Sequence, residues 1–220
     1  VHFSARGVIS SLTEEHRYGT ILLPWGISLS LFKEHLVAVL LRTINENTGS
    51  LYTPNEAIGL LFSHSDIYNK KIADILDSFI ANSPDNAIPC FFVRNPTLGR
   101  PSTQLMYIAG FKKDPADITI SLSILSIIGF NADFDGDTMA LMLLLDWVMT
   151  KMMEPLLPHK SYISTSEPFK LSGVDNLPKP VGANLVKFIN THPEHVYTSA
   201  AEVPVATQSF LNRLRCRVIN

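Results

Sequence analysis

The seven residues Asn131-Ala132-Asp133-Phe134-Asp135-Gly136-Asp137 constrain the fold more than any other stretch of the chain. Three aspartates fall within five residues, between apolar flanks at 124–130 and 139–145. Carboxylates that close repel one another, and they become stable together when a cation sits among them. A straight strand would point all three to one face but space them too far apart for one ion. A tight turn is therefore required, and Gly136 supplies the backbone freedom for it. The oxygen-only donor set suits Mg²⁺ rather than zinc. A solvated acidic turn is the plainer alternative, but such a turn does not need apolar shoulders on both sides. An EF-hand counted from Asp133 fails, because its sixth and twelfth places hold Thr138 and Leu144 instead of Gly and Glu. The Gly-rich run ending in Lys and Ser or Thr that cradles phosphate in a P-loop is absent.

The rest of the composition narrows the class. In 220 residues, 46% are hydrophobic and only 17% charged, against about 25% charged in an average soluble domain. Such a surface is expected to be covered in part by something else. A net charge of -2 excludes a basic nucleic-acid glove acting alone. Cys90 and Cys216 are too few for a disulfide scaffold or a four-cysteine zinc site, which fits a reducing, intracellular setting. His192 and His195 are close in sequence but have no evident third ligand. Neither long apolar stretch, 118–130 or 139–145, approaches the roughly 20 residues of a spanning helix. The chain begins at Val1 rather than Met, as a fragment or a processed chain would.

Periodicity predicts an α+β layout. Residues 1–23 read as strands and turns. Pro24 opens a helix over 27–45, and Thr53, Pro54 and Glu56 carry the signature of a capping box at the start of a helical region over 54–81. Residues 82–86 read as a loop, 90–93 and 105–111 as strands, and 118–124 alternates with a period of two. Beyond the acidic run, 139–153 is apolar nearly all round and predicts a buried helix ended by Pro155 and Pro158. Short helices are expected near 181–190 and 199–217, the latter holding Cys216 and the basic residues Arg213, Arg215 and Arg217.

Four blocks in order then identify a family. The 131–137 heptad resembles the catalytic loop of the largest (beta-prime) subunit of multisubunit DNA-dependent RNA polymerases, and residues 120–130 resemble the strand that leads into it. Arg94-Asn95-Pro96-Thr97-Leu98-Gly99-Arg100 resembles the family's Arg-x-Pro-Thr-Leu-His-Arg segment. Ser4-Ala5-Arg6-Gly7-Val8-Ile9 is similar to Ser-Gly-Arg-Ser-Val-Ile. Leu23-Pro24, with Leu29, Leu31, Phe32 and Lys33, is similar to the family's Leu-Pro and Leu-x-Leu-Phe-Lys segment. Together the blocks cover about residues 3–153.

The resemblance implies a double-psi β-barrel over 1–154, with a helical insertion at about 26–82 and a mainly helical extension over 155–220. It implies DNA-templated, Mg²⁺-dependent transfer of nucleotides from NTPs to an RNA 3′ end. Asp133, Asp135 and Asp137 would be the catalytic metal ligands, holding one resident Mg²⁺ and sharing a second during catalysis. Arg94 and Asn131 match residues that contact the ribose hydroxyls of the incoming nucleotide, and Arg6 matches a residue near the template strand. Arg100 fits its block, with a structural salt bridge as the equal alternative. The implied partners are the second large subunit, the remainder of the beta-prime-like subunit, template DNA and nascent RNA, because no match to the family's bridge helix or trigger loop is found in 155–220. Thr138, Met142, Gly99 and Val93 depart from the family's Gln, His, His and Asn. Such divergence in a short chain is similar to the split-subunit polymerases of large bacteriophages, which would place it in a bacterial cytoplasm, that of an infected cell included. A non-catalytic scaffold that keeps the barrel is one alternative, though a degenerate relative would be expected to lose an aspartate. An RNA-templated polymerase of the two-barrel type is the other, disfavoured by Asn131-Ala132 and the 94–100 block.

Overall fold

The computed structural model of the chain describes residues 3–46 and 48–161. The short helices expected near 181–190 and 199–217, Cys216, and the histidines at 192 and 195 lie outside the described residues. Among the described residues, six strands close into one barrel: β1 (Ser4–Ser11), β2 (Thr20–Leu23), β3 (Ile88–Val93), β4 (Thr103–Phe111), β5 (Ile120–Leu122) and β6 (Thr138–Leu143). Around the barrel the order is β1-β5-β2-β4-β3-β6, with β6 returning to β1. The β1/β5 and β2/β4 pairs are parallel, and the other four are antiparallel. Closure leaves no open edge in this barrel among the described residues.

Four helices lie between β2 and β3: α1 (Trp25–Leu31), α2 (Lys33–Leu40), α3 (Pro54–Ser63) and α4 (Lys70–Ala81). The helix expected over 27–45 is thus two short helices hinged at Phe32, and that over 54–81 is likewise two. Phe32 is buried at the break, its ring edge-on to Phe111 at 5.5 Å. The capping box forms as expected: Thr53 Oγ1 accepts from the Glu56 N–H, and the Thr53 N–H donates to Glu56 Oε2 at 2.8 Å. One continuous core joins the barrel interior, including Ile21, Phe92, Ile108, Ile120 and Leu141, to helix residues such as Leu36, Leu40, Ile72 and Leu76. Cys90 sits in it, fully buried, where desolvation pushes its thiol far above the usual range.

Two expectations around the acidic run are corrected. Residues 120–130 are not one strand: β5 ends at Leu122, Ser123 accepts from the Leu125 N–H, and helix α5 (Ile124–Phe130) follows. Residues 139–153 are not one buried helix. They form β6, then helix α6 (Trp147–Met153), which Asp146 caps by accepting from the Val148 N–H at 2.9 Å. Met139, Leu141 and Leu143 point into the core, while Met142 is 40% exposed. The apolar run of seven residues at 139–145 is too short to separate strand from helix periodicity, and pairing on both sides, with β1 and β3, decided for the strand. No residue of α6 is buried. The described chain closes with α7 (Pro158–Ser161).

Candidate metal centre

The acidic loop connects α5 to β6. Asn131 ends α5 in the left-handed conformation (φ 50°, ψ 46°), which asparagine tolerates better than most residues. Ala132 and Phe134 are half-buried and pack against the core. That inward anchoring turns Asp133, between them, and Asp135, just after, outward, where both are exposed. Gly136 adopts φ 123°, a conformation closed to most side chains, and so makes the tight turn that the spacing demanded. The loop exit is fixed to the sheet where the Ile9 N–H donates to the Asp137 carbonyl at 3.0 Å.

This geometry brings one carboxylate oxygen from each of Asp133, Asp135 and Asp137 to within 4.8 Å of one another. The Asp135 carboxyl is held above the usual aspartate range, first by a hydrogen bond shared with Asp133 and by that group's charge, then by the charge of Asp137. Asp137 has a different environment. Its Oδ2 accepts from Arg94 Nε at 2.9 Å and from the Asp133 N–H at 3.2 Å, and Arg94 Nη2 forms an ion pair with the same oxygen at 2.9 Å. Opposing negative charge is thus relieved at only one of the three carboxylates. A hard, anionic, all-oxygen donor set of this kind fits a divalent cation such as Mg²⁺.

Arg94 follows β3 directly, its own N–H continuing the β3/β4 ladder to the Ser102 carbonyl at 3.1 Å. Its partnership with Asp137 was not legible in the sequence, since the two are 43 positions apart. Asn131 lies at the loop entrance, exposed, two residues before Asp133. Arg6 is not in the acidic cluster. On β1 it is paired with Ala140 of β6, which places it diagonally across from Thr138 on the same face. Its Nε and Nη2 donate to Thr138 Oγ1 at 3.0 and 2.7 Å. Beside it, a groove of about 510 Å³ runs over the outer face of β1, β6 and β3, lined by Ser4, Phe91, Val93, Ala140 and Met142 among others. Arg100 makes a structural contact with a carbonyl rather than a carboxylate: its Nη2 donates to Pro155 O at 3.1 Å.

Among the described residues, no helix is long and apolar enough to cross a membrane. Comparison with curated proteins finds no match. Comparison with protein families finds one described as RNA polymerase Rpb1, domain 2, which matches residues 1–152.

Proposed function

This chain belongs to the RNA polymerase Rpb1 domain 2 family, and on that footing we propose that it carries the catalytic metal site of a DNA-directed RNA polymerase. The family is one of large polymerase subunits, nucleotidyltransferases that assemble with further subunits, DNA and RNA. The observation that carries the finer reading is the convergence of the Asp133, Asp135 and Asp137 carboxylates within 4.8 Å on one turn. These three residues would hold Mg²⁺, one ion resident and a second during catalysis. Divalent ions so held make the RNA 3′-hydroxyl a better nucleophile and stabilise the leaving pyrophosphate.

The remaining roles belong to the chain's own polar groups. Arg94 uses Nε and Nη2 on Asp137 at the loop exit, which leaves Nη1 for a ribose hydroxyl, and Asn131 at the loop entrance would be the second hydroxyl contact. A site that hydrogen-bonds a hydroxyl rejects a sugar lacking it, because its own polar atoms would be left unpaired. Arg6 likewise keeps Nη1 for a template phosphate at the edge of the groove. Six closed strands with parallel β1/β5 and β2/β4 pairs support a double-psi barrel. We assign residues 1–154 to this catalytic region, with the helices at about 26–82 inserted in it, and 155–220 to an extension toward partner chains. The departures Val93, Gly99, Thr138 and Met142 support a split subunit of a bacteriophage polymerase.

Primer extension on a DNA–RNA scaffold, using the complex pulled down with this chain, tests the reading. Extension with Mg²⁺ and NTPs is expected to disappear in an equally well assembled Asp135→Ala complex. Unchanged extension would mean that another chain carries the chemistry and this barrel is a scaffold. Extension on RNA but not DNA templates would move the chain to the RNA-templated class.

A further inference from the structure

We propose that Arg94 is a positioning residue for the metal centre: it fixes the carboxylate of Asp137 by one oxygen so that the other faces the ion. The proposal rests on the metal-holding role given to the three aspartates above. Two hydrogen bonds and an ion pair converge on a single atom, Asp137 Oδ2: the Nε of Arg94 and the backbone N–H of Asp133 donate to it, and Arg94 Nη2 lies 2.9 Å away. A carboxylate offers about four lone-pair sites over two oxygens. With Oδ2 so occupied, Oδ1 is the oxygen left for a cation. The terminal torsion of an aspartate is broad and nearly two-fold, so an unheld carboxylate would sample both faces. The same contacts pin the two ends of the acidic turn together, since Asp133 and Asp137 meet at Oδ2.

The position of β6 makes the clamp two-sided. Val93 of β3 and Arg6 of β1 are paired with Ala140 from opposite sides, so the start of β6 lies between two arginines. Arg94 holds Asp137, and Arg6 holds the next residue, Thr138. The Arg94 side chain is 18% exposed and that of Asp137 23%, so the pair is sheltered from the screening that weakens surface ion pairs. A guanidinium placed only to offset charge would compete with the ion, and its loss would tighten ion binding. A guanidinium that orients a ligand acts the other way, and loss of such outer partners typically costs 10–100-fold in affinity.

Titration of the full chain with Mn²⁺, followed by the loss of the free-ion EPR signal, separates these. Wild type, Arg94→Ala, Arg94→Lys and Asp135→Ala are compared, with near-ultraviolet circular dichroism to confirm folding. Roughly tenfold weaker Mn²⁺ binding is expected for both Arg94 variants, because a flexible ammonium cannot reproduce the planar guanidinium's paired Nε and Nη2 contacts with one oxygen. Unchanged or tighter binding in Arg94→Ala would overturn the proposal, as would full retention of affinity in Arg94→Lys, which would make charge sufficient. Should Arg94→Ala fail to fold, the lysine variant decides alone. Wild type binding no better than Asp135→Ala would instead remove the metal-holding role itself, and the proposal with it.

Discussion

At the scale of single residues, polar side chains are used where the barrel would otherwise be weakest, at strand ends and turns. Lys112 Nζ, 12% exposed at the side chain, donates to Asp117 Oδ2 at 2.8 Å and to Thr119 Oγ1 at 3.0 Å. Ser10 links this group to Ser121 across the parallel β1/β5 pair. Burial works to raise the Asp117 carboxyl, but the hydrogen bonds from Lys112 and Thr119 outweigh it and leave the group below the usual aspartate range. A carboxylate depressed in the folded state stabilises it above its unfolded value, and that contribution is lost as pH falls through the folded value. Asp117→Asn should therefore be less stable than wild type at neutral pH, by about 1 kcal/mol given that Asp117 is well exposed. The gap should close in acid, as pH falls below the ordinary aspartate range. Urea denaturation at both pH values measures it; a gap independent of pH would show that the network acts through packing instead.

Between elements, α5 deserves its place by what it does to the loop that follows. Its last residue, Phe130, is fully buried, edge-on to Phe92 of β3 at 5.6 Å between ring centroids. The contact seats the helix against the barrel one residue before Asn131, so the acidic turn starts from a rigid base. Truncation to Phe130→Ala is expected to cost about 3–5 kcal/mol, the usual range for a buried aromatic. The midpoint of urea unfolding reports it, and a loss below about 1 kcal/mol would mean that the helix is held elsewhere. The strand β6 on the far side of the turn takes its identity from its neighbours in the same way. Its own residues suit a helix as well as a strand, and the ladders to β1 and β3 make it a strand.

For the molecule as a whole, charge sets the limit. A net charge of -2 offers no broad cationic surface for an RNA–DNA duplex, whose binding is dominated by phosphate neutralisation. In the described region, the arginines nearest the proposed centre, Arg6 and Arg94, are already engaged with Thr138 and Asp137. The isolated chain is thus expected to give no template-directed synthesis, and activity should appear only in the assembled complex. Extension by the purified chain on a DNA–RNA scaffold would contradict this directly.

The amino-acid sequence by itself determined the donor set of the proposed centre and pointed to the family. Three carboxylates, the glycine between two of them and the capping residues at Thr53 and Glu56 act over a few positions, so neighbouring residues suffice to specify them. It also placed a strand at 105–111, within β4, and an alternating stretch at 118–124, of which only 120–122 is strand. Only the tertiary structure decided which partners those groups find. Arg94 reaches Asp137 across 43 positions and Arg6 reaches Thr138 across 132, distances closed by barrel register and invisible in local pattern. The same non-local pairing made 138–143, most of which was expected to open a helix over 139–153, into the strand that follows Asp137 and starts between two arginines, because burial on one face and hydrogen bonds to two neighbours outweigh an ambiguous local propensity.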